Sequence, residues 1–187
     1  MAKTESKMLN LGTEAPIFRL TNGIDESYFS RDQLMGPKGL LVFFICNHCP
    51  YVLHIIEKLT SIAHHYQSFG VGMVAISSND IEQFPDDHPE KMKLFASHFQ
   101  FKFPYLFDQT QEVAKSFSAA CTPDFFLFDH NKHLVYRGRF DGATPGNTTM
   151  VSGADLEAAL QSLVLGLPIS EAQLPSLGCN IKWSQDK

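Results

Sequence analysis

Two cysteines separated by two residues form the most reactive group in this sequence, Cys46-Asn47-His48-Cys49. The pair follows an apolar run over residues 39–45, which predicts a strand buried on both faces. A helical apolar stripe starts at Cys49. Side chains three residues apart in a helix are neighbours, and a disulfide needs Cα atoms about 4.4–6.8 Å apart. The spacing therefore predicts a reversible disulfide.

The position of each cysteine predicts its role. Cys49 begins the apolar stripe and is expected to point inward, whereas Cys46 is expected to lie exposed at the helix entrance. Free N–H groups and the positive end of the helix dipole favour a thiolate there, and protonated His48 would favour it further. We therefore predict Cys46 as the attacking thiol and Cys49 as its partner. Pro50 predicts an irregular first helical turn.

The same residues allow other interpretations. Cys46, Cys49 and His48 could ligate a metal together with Cys121 or Cys179, or the thiols could be structural. Zinc sites usually have a second closely spaced ligand pair, and the other two cysteines stand alone. A redox pair without metal or organic cofactor is therefore preferred. Cys121 and Cys179 are possible third thiols in a relay, or small buried apolar side chains.

The surrounding elements predict an α/β fold. The strand at 39–45, the helical stripe after it and a second apolar strand at 71–77 form a βαβ unit. An N-terminal hairpin, a late antiparallel hairpin near 125–137 and a C-terminal helix complete the order. The polar segment 79–90 is expected to be a solvated loop.

We expect a flexible leader over residues 1–8, one domain over residues 9–167 and a tail over residues 168–187. The tail shows no clear periodicity.

Composition excludes several classes of protein. The chain has 187 residues, 44% hydrophobic and 19% charged, which suits one folded domain. A net charge of −5 disfavours nucleic acid as a partner. No apolar run is long enough to span a membrane, and the N-terminus lacks a secretory core, so a cytoplasmic location is expected. Four cysteines are too few for a disulfide scaffold at this length.

Several motifs resemble the thioredoxin superfamily, in its redoxin branch of alkyl hydroperoxide reductase/thiol-specific antioxidant-like and membrane-tethered thiol-disulfide oxidoreductase proteins. The resemblance covers about residues 9–167 and rests on residues 12–18, 43–50, 122–129 and 136–138. It implies a thioredoxin-like fold, with a central mixed sheet flanked by helices. It also implies a cis Thr122-Pro123 bond beside the cysteine pair, where main-chain groups bind a partner segment.

The tail sequence around Cys179 is similar to the ending of a bacterial group that shares Cys-Asn-His-Cys-Pro-Tyr.

The predicted function is thiol-disulfide exchange with a disulfide-containing protein or a low-molecular-weight thiol. A thiol peroxidase using Cys46 is the alternative, and a metal-binding thioredoxin-like protein is the second alternative. Peroxiredoxins carry Pro-x-x-x-Thr/Ser-x-x-Cys. Alignment on Cys46 places Gly39 and Phe43 at those positions, and alignment on Cys49 places Val42 and Cys46 there. Because both alignments lack the hydroxyl that orients a peroxide, disulfide exchange is preferred.

Overall fold

The computed structural model describes residues 3–184, so residues 1, 2 and 185–187 of the predicted leader and tail lie outside it. The described part has ten strands: β1 Lys3–Glu5, β2 Arg19–Asn22, β3 Tyr28–Ser30, β4 Gly39–Phe44, β5 Val71–Ser77, β6 Tyr105–Phe107, β7 Cys121–Thr122, β8 Asp124–Asp129, β9 Leu134–Gly138 and β10 Leu177–Asn180. Its α-helices are α1 Arg31–Leu34, α2 Pro50–Gln67, α3 Pro89–His98, α4 Glu112–Ser116 and α5 Ala154–Leu165.

A seven-stranded mixed sheet forms the centre of the fold, in the order β3-β2-β6-β5-β4-β8-β9. β4 pairs in parallel with β5 and antiparallel with β8. All six residues of β4 are buried, as a strand covered on both faces requires. The predicted α/β class, the N-terminal hairpin of β2 and β3, and the late hairpin of β8 and β9 are confirmed.

Alternate residues of β4 belong to two separate hydrophobic clusters. Leu41 and Phe43 pack in the cluster that contains the buried face of α2, whereas Leu40 and Phe44 pack in the cluster that contains α4. This division follows from the two-residue period of a strand, which sends successive side chains to opposite faces. The end of β4 is thereby held between two packed layers, and the cysteine pair follows directly.

A second sheet joins segments from the predicted leader and the predicted tail. β1, from the predicted leader, pairs antiparallel with β10, from the predicted tail, and β10 pairs antiparallel with β7. The tail is also bonded beyond β10, where the Lys182 N–H donates to Asn79 Oδ1 at 2.8 Å. Pairing of segments so far apart in sequence leaves no local pattern, which is why the sequence analysis missed these strands.

The polar segment 79–90 also differs from the predicted solvated loop. It contains a short 310 helix, Pro85–Asp87, and Asp87 is fully buried. Hydrogen bonds join it to the turn between the cysteines: Asn47 N donates to Asp87 Oδ1 at 2.8 Å, and Asn47 Nδ2 donates to the Asp86 carbonyl at 2.9 Å. The segment therefore covers the cysteine pair. Among residues 3–184, no helix has the length and hydropathy to cross a membrane.

Candidate active site

The cysteine pair lies in a turn between β4 and α2, not in the first helical turn. α2 begins at Pro50, and Cys49 is its N-cap residue. Proline is favoured at the first helical position because the N–H it lacks would have no partner in the helix there. The positive end of the helix dipole therefore lies at Cys49, while Cys46 lies three residues before Cys49.

Both sulfurs contact Thr122, the residue before the cis Thr122-Pro123 bond. Cys46 Sγ lies 3.5 Å from Thr122 Oγ1, and the Cys49 thiol donates to the Thr122 carbonyl at 3.2 Å. The cis bond that the resemblance implied is confirmed. All four cysteines are free thiols, so this is the reduced site.

The expectation that Cys46 lies exposed is wrong. Cys46 is 1% exposed and Cys49 is 0% exposed. Segment 79–90 covers the turn on one side through its bonds to Asn47, and Thr122 covers it on the other. Attack on a protein disulfide needs an accessible sulfur, so this conformation protects both thiols.

The negative charge also falls on the other cysteine from the one predicted. A hydrogen bond from Cys46 is the largest effect on Cys49, and with bonds from Cys179, Thr122 and the backbone of Val52 it lowers the pKa of Cys49 to about 5. The same bond and burial raise the pKa of Cys46. The two thiols therefore titrate as a pair, and loss of the first proton favours the thiolate on Cys49.

Replacing Cys46 by alanine is expected to raise the pKa of Cys49, because it removes the hydrogen bond that most stabilises the thiolate. Thiolate absorbance near 240 nm, followed against pH, measures this shift. The Cys121→Ala variant is the matched control and is expected to titrate like the wild type, near pH 5. An unchanged midpoint in the Cys46 variant would contradict the assigned hydrogen bond.

His48 and Asp87 complete the polar side of the site. His48 Nδ1 lies 2.9 Å from Asp87 Oδ2, at ion-pair distance but without the alignment of a hydrogen bond. Its ring lies parallel to Phe84, with 5.8 Å between ring centroids. Asp87 Oδ2 also accepts a hydrogen bond from Asn79 Nδ2 at 2.7 Å. The sequence analysis missed Asp87, since nothing local separates it from the other acidic residues of segment 79–90.

Cys46, His48 and Asp87 could together hold a metal ion. One donor atom from each lies within 4.8 Å of the others. Sulfur, imidazole nitrogen and carboxylate oxygen are all zinc ligands in proteins. This set differs from the one considered from sequence, because it contains Asp87 and lacks Cys49, Cys121 and Cys179.

The two remaining cysteines also lie beside Thr122 and Pro123. Cys121 is buried, and its thiol donates to the Pro123 carbonyl at 3.5 Å. Burial raises its pKa far above the ordinary thiol value. Cys179 is buried in β10 opposite Thr122, and burial raises its pKa to about 12. The fold thus gathers all four cysteines around one cis peptide bond.

Comparisons with known proteins place this site in context. Residues 11–137 match the AhpC/TSA family. An uncharacterized conserved protein from Geobacillus kaustophilus is 46% identical, with a TM-score of 0.98 over 100% of this chain and 99% of that one. A hypothetical protein from Sinorhizobium meliloti 1021 is 43% identical, with a TM-score of 0.95 over 98% and 100%.

A thioredoxin family thiol:disulfide interchange protein from Chlorobium tepidum TLS shares the fold at 17% identity, with a TM-score of 0.62 over 82% of this chain and 97% of that one. No curated protein sequence matches this chain. The thioredoxin-like fold is therefore confirmed. The family match ends at residue 137, whereas the two bacterial proteins align with nearly the whole chain, tail included.

Proposed function

Because this chain belongs to the AhpC/TSA family, we propose that it is a thiol-disulfide oxidoreductase whose Cys46 and Cys49 alternate between dithiol and disulfide. The observation that carries this proposal is the convergence of both thiols on Thr122 at the N-terminus of α2. A stabilised thiolate and a second thiol bonded to it are the two groups that disulfide exchange needs.

The exchange starts from the proton shared by the two sulfurs. Its transfer from Cys46 to Cys49 places the thiolate on Cys46, which attacks one sulfur of a partner disulfide. The partner S–S bond breaks, and the other partner sulfur leaves as a thiolate. Cys49 gives its proton to that thiolate and attacks Cys46 Sγ, releasing the second partner sulfur as a thiolate. The partner gains two electrons and the chain is left as the Cys46–Cys49 disulfide.

His48 has a supporting role in this proposal. It is adjacent to Cys46 and held at ion-pair distance from the buried carboxylate of Asp87. An imidazolium there balances the negative charge of a Cys46 thiolate. Because both cysteines are buried while the His48 side chain is 21% exposed, we propose that a partner approaches past His48. The partner is a protein disulfide or a low-molecular-weight thiol or disulfide.

Equilibration in glutathione redox buffers tests the proposal. We expect one two-electron transition, between about −270 and −120 mV, because a stabilised thiolate favours the reduced form. Cys46→Ser and Cys49→Ser are each expected to lose the Cys46–Cys49 disulfide, and Cys121→Ser, as control, to keep it. Peptide mapping without reduction identifies the bond. A wild-type chain that forms no Cys46–Cys49 disulfide would overturn the proposal.

One observation favours a thiol peroxidase as the second candidate. The alignments placed no hydroxyl before either cysteine, but the fold brings the Thr122 hydroxyl to 3.5 Å from Cys46 Sγ. A hydroxyl there can orient a peroxide, and a peroxide is small enough to reach a narrow site. Hydrogen peroxide consumption with sulfenic acid at Cys46 in the Cys49→Ser variant would favour this candidate. Disulfide turnover without peroxide consumption would favour exchange.

The cluster of Cys46, His48 and Asp87 favours the metal-binding candidate. Metal analysis of protein purified without chelator separates it from the redox candidates. Near-stoichiometric metal in a chain without disulfide turnover would support it.

A further inference from the structure

The strand β10 places a third cysteine at the redox pair. In the antiparallel pairing of β10 with β7, Cys179 is the register partner of Thr122. Opposite residues of an antiparallel pair have Cα atoms about 4.5–5.5 Å apart. Thr122 is also the residue that both Cys46 and Cys49 contact. Cys179 therefore lies opposite the residue that both sulfurs of the pair contact, although it is 130 positions from Cys49 in sequence.

The fit between β10 and the cis peptide is close. A Cβ atom on Gly178 would lie 2.0 Å from the Thr122 carbonyl oxygen and 3.2 Å from Pro123 N. Because these are backbone atoms, they cannot move aside as the end of a flexible side chain could. Only glycine allows β10 to lie this near to Thr122 and Pro123. The neighbouring residue, Cys179, is therefore held opposite Thr122 and is 4% exposed.

Cys49 is the shared neighbour of two thiols. Its sulfur lies within side-chain hydrogen-bonding reach of Cys46 and of Cys179. Cys179 and Cys49 also pack in the same hydrophobic cluster. Cys121 is placed differently, because its thiol points to the Pro123 carbonyl. Cys49 can therefore bond to Cys46 or to Cys179 with small movements of the side chains.

We propose that Cys179 is a third redox thiol, which converts the Cys46–Cys49 disulfide into a Cys49–Cys179 disulfide. This inference rests on the proposed function. The Cys179 thiol loses its proton and its sulfur attacks Cys49 Sγ. The Cys46–Cys49 bond breaks, the Cys49–Cys179 bond forms, and Cys46 leaves as a thiolate that takes up the proton. No net oxidation or reduction accompanies the exchange.

The tail strand then does what an incoming partner would do. A disulfide-bearing peptide that binds by strand addition would also add an extended segment to a strand edge and present a cysteine to the pair. Here the chain supplies that segment itself. The exchange restores a free Cys46 while the oxidation is stored between Cys49 and the tail.

Oxidation of the Cys46→Ser variant with diamide, which takes up the two thiol hydrogens, tests this inference. Peptide mapping without reduction is expected to find Cys49–Cys179 as the main intramolecular disulfide. The bond is expected to be retained in Cys46→Ser/Cys121→Ser and lost in Cys46→Ser/Cys179→Ser. Cys49 bonded to Cys121 instead, or left reduced under conditions that fully oxidise the wild type, would overturn the inference.

The wild-type chain provides a second measurement, and Gly178→Val serves as its comparison. After one equivalent of diamide, we expect both the Cys46–Cys49 and the Cys49–Cys179 peptides. Gly178→Val, which displaces β10, is expected to retain the first peptide and lose the second. Cys46–Cys49 without any Cys49–Cys179 in the wild type would overturn the role of Cys179 and leave the proposed function standing. Absence of Cys46–Cys49 together with loss of disulfide turnover would overturn the proposed function itself.

Discussion

Replacing Asp87 by alanine is expected to lower the free energy of unfolding by about 2–6 kcal/mol, because two donors lose their acceptor and each unsatisfied buried group costs about 1–3 kcal/mol. These donors are Asn47 N, at 2.8 Å, and Asn79 Nδ2, at 2.7 Å. Chemical denaturation measures the loss. The same change detaches segment 79–90 from the cysteine turn, so alkylation of Cys46 by iodoacetamide is expected to accelerate at least about tenfold.

Asp86→Ala is the matched control for this prediction. Its side chain is 69% exposed and lies 3.4 Å from Lys91, and the Asp86 carbonyl that binds Asn47 is unaffected by the substitution. We expect a change in stability within about 0.5 kcal/mol, as for other surface substitutions. Equal losses in the two variants, or an unchanged alkylation rate in Asp87→Ala, would show that Asp87 does not hold the cover.

The stability of the wild type is expected to depend on pH through Asp124. This side chain is 1% exposed, and Oδ1 has no hydrogen-bond partner among the described residues. Burial raises the pKa of its carboxyl from 3.8 to about 8, against smaller lowering by backbone bonds. Between those values the folded chain holds one more proton than the unfolded chain. The contribution of Asp124 to the free energy of unfolding therefore falls as pH rises through this window, whereas the lowered pKa of Cys49 acts in the opposite direction above pH 5.

Asp124→Asn isolates this contribution, because asparagine resembles the neutral acid and does not titrate. We expect the stability difference, variant minus wild type, to grow by about 1.4 kcal/mol per pH unit between pH 4 and pH 8, to a total of about 5 kcal/mol. Asp108, whose pKa burial also raises, affects both chains alike. Urea denaturation across this pH range gives the two curves. A constant difference would contradict a neutral Asp124.

Charge placement at the site shows how far local sequence signals extend. The junction of a buried strand with a helical stripe correctly located the pair between β4 and α2. The same reasoning placed the helix N-terminus on Cys46, whereas the helix begins at Pro50 and its N-cap residue is Cys49. Three residues of turn are enough to move the dipole from one sulfur to the other. Periodicity identifies a helix but does not define its first residue, and here the first residue decides which sulfur lies at the helix N-terminus.

Burial of Cys46 depended on contacts that no local pattern records. The residues that cover it, Thr122 and segment 79–90, are distant in sequence. The acidic residues of that segment are typical of a surface loop, and Asp87 is buried only because Asn47, Asn79 and His48 surround it. Hydrogen-bond partners that assemble in three dimensions make this carboxylate different from Asp86 next to it.

The amino-acid sequence alone determined the α/β class, the central buried strand, the helix that follows it and the position of Cys46 and Cys49 between them. These features depend on side-chain periodicity and spacing within one or two adjacent elements. Tertiary structure alone decided that the thiols are buried, that Asp87 holds the cover, and that Cys179 lies opposite Thr122. Those properties depend on strand pairing and hydrogen bonds between remote segments, which become neighbours only when the chain folds.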